Sequence, residues 1–271
     1  MKLFISADIE GVAGICAASE GDHAQPADYL PFRKQMTDEV AAACAGAYAA
    51  GADSIVVKDA HYSGRNLDIH RLQAPEGRQL HLTRGWSGHP LSMVQGLDES
   101  FDALAFIGYH SAAGHGGNPL AHTVSGRMFA RVELNGVAAS EFLLFTFAAA
   151  TLGVPVVFLS GDEALCEDAR RVVDGVETVA TLVGSGASVT SITPAESVRR
   201  IEDGVKQALL ARRTKPIALP GHFRLKVTFN KAVDAFEKSF YPGARLVGDT
   251  EVAIESARYL DLLTFIMFSC K

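Results

Sequence analysis

The chain contains no CxxC pair, no GxxxxGK[ST] phosphate loop, no GxSxG elbow and no HExxH helix. These absences exclude thiolate zinc sites, P-loop nucleotide hydrolysis, the α/β-hydrolase nucleophile and the zincin motif. Its four cysteines, Cys16, Cys44, Cys166 and Cys270, are scattered over 271 residues. That spacing fits buried free thiols in a reducing cytosol better than a disulfide framework. Excess basic charge is lacking too. The net charge of −6 gives neither nucleic acid nor an anionic membrane an electrostatic reason to bind. The longest apolar stretch, Phe142–Leu159, is punctuated by Thr, Gly and Pro, which argues against a membrane span. The opening MKLFISADIEG turns acidic too early for a signal peptide. A soluble cytoplasmic protein is expected. Gly184-Ser185-Gly186-Ala187-Ser188 carries Val189 where a dinucleotide fingerprint needs its third glycine, so it reads as a glycine-rich loop and gives an oxidoreductase little support.

What is present is ordinary globular material: 48% hydrophobic and 21% charged residues, enough for a substantial core. Short apolar runs alternate with helical patterns. Strands are predicted over 2–7, 54–58, 103–109, 128–134 and 155–160. Helices are predicted over 33–50 and 137–152, with a short one ending near 172. Further on, strands are expected at 178–183, 224–230 and 252–254, with helices at 194–213 and 259–268. The alternation predicts an α/β fold whose mainly parallel sheet carries helices on both faces. The metal-binding catalytic domain is expected to cover 1–213. A smaller C-terminal α/β part, 214–271, is either separate or part of the same domain.

Ligand-type residues fall at the ends of three predicted strands: Asp8-x-Glu10, Asp59-x-His61 and His110. Open parallel sheets gather their sites at the carboxyl ends of strands, so these residues would converge if the strands are neighbours. Asp8 and Glu10, two apart in extended chain, point to the same side, and Gly11 allows a sharp turn. Paired acids repel each other; a divalent cation resolves the conflict. A mixed Asp/Glu/His set without cysteine suits zinc, and also manganese or cobalt. Glu141 interrupts the apolar segment AASEFLLFTFAAA; a carboxylate on a buried helix must be paired or ligated. Residues 111–126 form a long Gly- and His-rich loop. Within it, His122 and His115 compete for an acid–base role beside the metals.

The segments SADIEGVAGI, VVKDAHYSGRNL, FIGYHSAAGH, AHTVSG and SEFLLFTFAAATLGVPVVFLSGD resemble, in order, the D-aminopeptidase family of zinc peptidases (DppA type). The match follows the motifs to about residue 165 and is looser beyond. The resemblance implies two zinc ions per chain bridged by Asp8. Glu10 and His110 would complete one site, His61 and Glu141 the other. It assigns catalysis to His122, in Ala121-His122-Thr123, over His115. It also implies hydrolysis of the N-terminal residue, a D-amino acid, from short peptides, within a homo-oligomeric decamer. The Gly-rich loop between His110 and His122 is slightly longer than the family pattern. Alternatives on the same scaffold are a metallohydrolase of L-peptides or non-peptide amides and a non-catalytic small-molecule binding protein.

Overall fold

A computed structural model describes all 271 residues. In chain order its elements are β1 (Lys2–Ala7), α1 (Ala18–Gly21), α2 (Pro26–Ala49), β2 (Ser54–Asp59), β3 (Gln79–Thr83), β4 (Ala103–Tyr109), β5 (Phe129–Leu134), β6 (Val137–Ala138) and α3 (Glu141–Thr151). They continue with β7 (Val156–Asp162), α4 (Glu163–Val172), β8 (Glu177–Ser185), β9 (Ser188–Ser191), α5 (Pro194–Ala211), β10 (Phe223–Phe229), α6 (Ala232–Lys238), β11 (Ala244–Leu246), β12 (Glu251–Ser256) and α7 (Tyr259–Ser269).

The first sheet has seven strands in the order β3-β2-β1-β4-β7-β8-β9. All neighbours are parallel except β9, which turns back antiparallel on β8. β4 and β7 are buried at every position, as continuous apolar runs covered on both faces should be. On one face α2 and α5 close a core with Met36, Val40, Ile201 and Val205. There the backbones meet so closely that a Cβ on Gly46 would lie 2.2 Å from the Glu202 carbonyl oxygen. On the other face α3, α4 and α7 share a second core with Phe106, Phe142, Leu165 and Phe265. The expected α/β architecture with helices on both faces is the one observed.

A second sheet, β11-β12-β10-β5-β6, is wholly antiparallel. It joins β5 and β6 from mid-chain to β10–β12 from the last fifth of the sequence. Several elements differ from expectation. α2 begins at Pro26, not 33: Pro26 occupies its first turn, where a missing N–H costs nothing, and the helix runs on through Pro31 at the expense of one intrahelical hydrogen bond. Residues 137–138 complete the β5–β6 hairpin across Asn135-Gly136, so α3 starts only at Glu141, capped by the Ser140 hydroxyl accepting from the Leu143 N–H at 3.1 Å. The glycine-rich segment 184–188 is the tip of the β8–β9 hairpin. α1, β3, β9, α6 and β11 have no counterpart among the predicted elements. No helix is long and apolar enough to cross a membrane.

Candidate metal centre

The chain leaves β1 outward to β2 and β3, then returns to β4 on the other side of β1. The strand order therefore reverses between β1 and β4, where open α/β sheets form their crevice. Asp8 follows β1, His61 follows β2 and His110 follows β4. The two central strand ends cross in near contact. A Cβ on Gly11 would lie 1.8 Å from the Tyr109 carbonyl oxygen, and one on Gly108 would lie 2.4 Å from that of Asp8. Gly11 sits in the turn that the Val12 N–H closes on the Ile9 carbonyl at 3.1 Å, as expected, and it also permits this close backbone approach. The crossing fixes Asp8 and Glu10 against His110.

All five expected ligand residues are buried and meet in one cluster. His61 Nε2 lies 2.8 Å from the Gly21 carbonyl. Its N–H donates there, which leaves Nδ1 facing Asp8 Oδ1 at 3.2 Å and Glu10 Oε2 at 2.9 Å. His110 donates from Nδ1 to the Ser111 carbonyl at 2.9 Å. Its Nε2 then points at Glu141 Oε2, 3.4 Å away, and Asp8 Oδ2, 3.7 Å away. His122 repeats the device: Nδ1 donates to the Leu120 carbonyl at 3.0 Å, and Nε2 stands 3.8 Å from Glu141 Oε1. Its ring stacks on His110 with centroids 4.4 Å apart. His115 is exposed on its loop and joins no part of the cluster.

Ligand atoms of Asp8, Glu10 and His61 lie within 4.8 Å of one another, as do those of Asp8, His110 and Glu141. Glu10, His110 and His122 form a third such set. Asp8 is common to the first two, one oxygen turned to each. The shortest approaches pair Glu10 with His61 and His110 with Glu141, whereas the family resemblance implies Glu10 with His110 and His61 with Glu141.

Burial and the Glu10 charge push Asp8 well above the usual carboxyl range. Burial acts on Glu10 in the same direction, but the charge and hydrogen bond of His61, together with the His122 and His110 charges, outweigh it and hold Glu10 well below. Burial would strip His61 of its proton, yet Glu10 and Asp8 hold its pKa well above normal. His110 is likewise pushed up, against burial, to about 10 by Glu141. Three buried carboxylates need positive charge, and without a metal only protons on imidazole supply it. Even so, Glu10 Oε2, His110 Nε2 and Glu141 Oε2 are buried without a hydrogen-bond partner. Orphaned oxygens and an imidazole lone pair facing one another are a donor set suited to divalent cations of the zinc type.

The surroundings hold the ligands in place. The Glu141 Oε1 oxygen accepts the Val124 N–H at 2.6 Å. Val124 has φ +62°, a strained conformation for a β-branched residue. Tyr62 and Ser92, at φ +43° and +40°, line the same cavity as Val124. Asp162 receives the Ser111 N–H at 2.6 Å and caps α4 through the Leu165 N–H at 2.9 Å, holding the loop that carries His110. Asp59 accepts N–H groups of Asn66 and Leu67, and Asn66 in turn donates to the His61 carbonyl. The cluster opens into a cavity of about 450 Å³ lined further by Tyr62, Trp86, Met93 and Met267. A second, of about 490 Å³, lies on the side of residues 119–122. Val124, Trp86 and Asp162 were not singled out from sequence. Asp162, the last residue of the apolar strand β7, carried a strand-end signal like that of Asp8.

Residues 1–268 match the D-aminopeptidase family. The chain belongs to that family. The D-aminopeptidase of Bacillus subtilis (strain 168) is 28% identical over 269 residues, covering 96% of this chain and 93% of its own. The solved structure of the zinc-dependent D-aminopeptidase DppA from Bacillus subtilis, described as a self-compartmentalizing protease, superposes with a TM-score of 0.91 at 27% identity. That match covers 99% of this chain and 96% of the other. The D-aminopeptidase family fold therefore extends over both sheets.

Proposed function

We propose that this chain is a zinc-dependent aminopeptidase that removes the N-terminal D-residue of short peptides. Its ligands for two zinc ions are Asp8, Glu10, His61, His110 and Glu141, and His122 is its catalytic residue. The observation that carries the reading is the buried cluster of three carboxylates and two imidazoles, with Asp8 turning one oxygen to each half. A bound zinc pair supplies Lewis acidity toward the peptide carbonyl and lowers the pKa of water toward neutrality.

The chain's own groups do the rest. Carbonyls of Gly21 and Ser111 fix the two ligand imidazoles so that a lone pair faces the carboxylates. His122, fixed through Nδ1 by Leu120 and partly exposed to the cavity, keeps Nε2 free to hold a proton and pass it to the leaving amine. Apolar walls around the cluster exclude bulk water from the carboxylates. The D-preference follows the activity of the Bacillus subtilis relatives.

By likeness to the self-compartmentalizing relative we assign a homo-oligomer, and from the family resemblance we take it to be a decamer. Supporting it, Val233 and Phe236 on α6 and Phe240 just after it are exposed, Phe236 packs edge-on against Phe240, and Phe240 shares a shallow cavity with exposed Phe268, an apolar patch of the kind that subunit contacts cover. The four free thiols support placement in a reducing cytoplasm.

The test is amino-acid release from D-Ala-D-Ala, L-Ala-L-Ala and N-acetylated D-Ala-D-Ala. Release from the free D-dipeptide alone is expected. Equal release from the L-dipeptide removes the stereochemical assignment, and release from the blocked peptide removes the aminopeptidase one.

A further inference from the structure

Lys58 stands outside the cluster, yet its burial is as complete as that of any residue in the core. The ammonium meets no carboxylate. It donates to the carbonyls of Asp59 and Gly85, the latter at 2.9 Å, and lies 4.0 Å from the centre of the Trp86 ring. A buried lysine held by carbonyls and an indole alone is costly; burial pulls its pKa down to about 8 against the opposing Asp59 charge. The Trp86 Nε1–H donates to the Tyr62 carbonyl at 2.8 Å. The Gly85 N–H donates to the Gly64 carbonyl at 2.7 Å, and a Cβ on Gly64 would lie 2.9 Å from the Gly85 nitrogen.

These ties fasten the segment carrying Trp86 onto the turn carrying His61 and Tyr62. Trp86 and Tyr62 both line the cavity that opens from the cluster. With the Lys58 ammonium over one face of the indole, only the other face is left for a ligand. A ring already engaged by one cation is a poor partner for a second and a good one for CH groups or another ring.

We propose that Trp86, clamped by Lys58, is a specificity-determining wall of the substrate cavity that takes the uncharged, apolar side chain of the peptide's N-terminal residue. Lys58 acts as a positioning residue. The proposal rests on the peptidase reading above for the identity of the ligand, but its physical test does not require turnover.

Trp86 is the single tryptophan of the chain, so intrinsic fluorescence reports on it alone. Zinc-loaded protein titrated with free D-phenylalanine should show a saturable change in emission, and D-lysine should produce none. Trp86→Ala should raise KM for D-Phe-D-Ala by about tenfold or more, the scale of one lost apolar contact surface, with kcat changed far less and zinc content retained. Lys58→Met should shift emission to the red and raise KM in the same direction. If that variant fails to fold, Trp86→Ala decides alone, since its side chain is half-exposed. Emission unmoved by D-phenylalanine at concentrations that inhibit hydrolysis, or an unchanged KM in Trp86→Ala, overturns the proposal. Should no dipeptide be hydrolysed, the peptidase reading fails separately; the emission response to D-phenylalanine still decides whether Trp86 forms a binding wall.

Discussion

Each of the three imidazoles in this site anchors one ring nitrogen on a backbone carbonyl, of Gly21, Ser111 or Leu120, and turns the other inward. Two then face carboxylates at ligand distance, while His122 stands behind Glu141 with its ring partly open to the cavity. The difference in position predicts a difference in phenotype. Asp8→Ala should lose metal and turnover together, because Asp8 serves both halves of the cluster. His122→Ala should retain metal and lose about 10²–10⁴-fold in kcat, the range for a removed general acid–base; full activity in a metal-loaded His122→Ala protein would contradict the assignment. At this scale much was legible. Asp8, Glu10, His61 and His110 follow apolar strands, and a parallel sheet sends such residues to one rim. Glu141 betrayed itself as an acid in an apolar helix. Val124 was not legible, since its importance lies in a strained φ and one N–H, and neither leaves a mark on residue type. Nor was the pairing of Lys58 with Trp86, a contact between residues 28 apart with β3 and two loops between them.

Among elements, α2 is held to its surroundings by a buried acid. Glu39 accepts the Ala13 N–H at 2.9 Å, Gln35 Nε2 at 2.8 Å and the Ser197 hydroxyl at 2.8 Å, linking α2 to the loop after β1 and to α5. Its second oxygen is buried without a partner. Burial pushes this carboxyl up to about 7 despite those donors. Between the ordinary carboxyl value and about 7, the folded chain keeps a proton that the unfolded chain has released. The group's contribution is therefore fully present in acid and lost as pH rises through about 7. Glu39→Gln should gain stability over wild type between pH 5 and pH 8, by on the order of 3 kcal/mol. Denaturant unfolding at both pH values checks this; a difference that does not change with pH would contradict it. Sequence periodicity located most strands and helices of the first sheet, since each satisfies its pattern locally. It misplaced the start of α3, where a turn signal and a helical apolar pattern overlap and only the hairpin pairing of β6 with β5 decides.

Across the whole molecule the two sheets are interlocked by chain order. β10, from beyond residue 213, lies between β12 and β5, pairing Val227 with Val132 and Leu225 with Leu134. α7 shares its core with α3, whose first residue is Glu141. One sequence could show a change of character near 213 but not this pairing, because antiparallel partners about 90 residues apart carry no local signal. A fragment ending at Arg213 would expose β5 and the α7-facing side of α3, so it should be insoluble or lack cooperative unfolding by circular dichroism; a monomeric, cooperatively folded fragment would contradict that dependence. All these scales meet in the claim that five buried side chains, brought from three strand ends and one helix start, hold two metal ions. Elemental analysis of the purified full-length chain, beside its Asp8→Ala variant, tests it most directly. The account predicts about two zinc ions per wild-type chain and none retained in the variant; a wild-type chain that binds no metal even after reconstitution would contradict it.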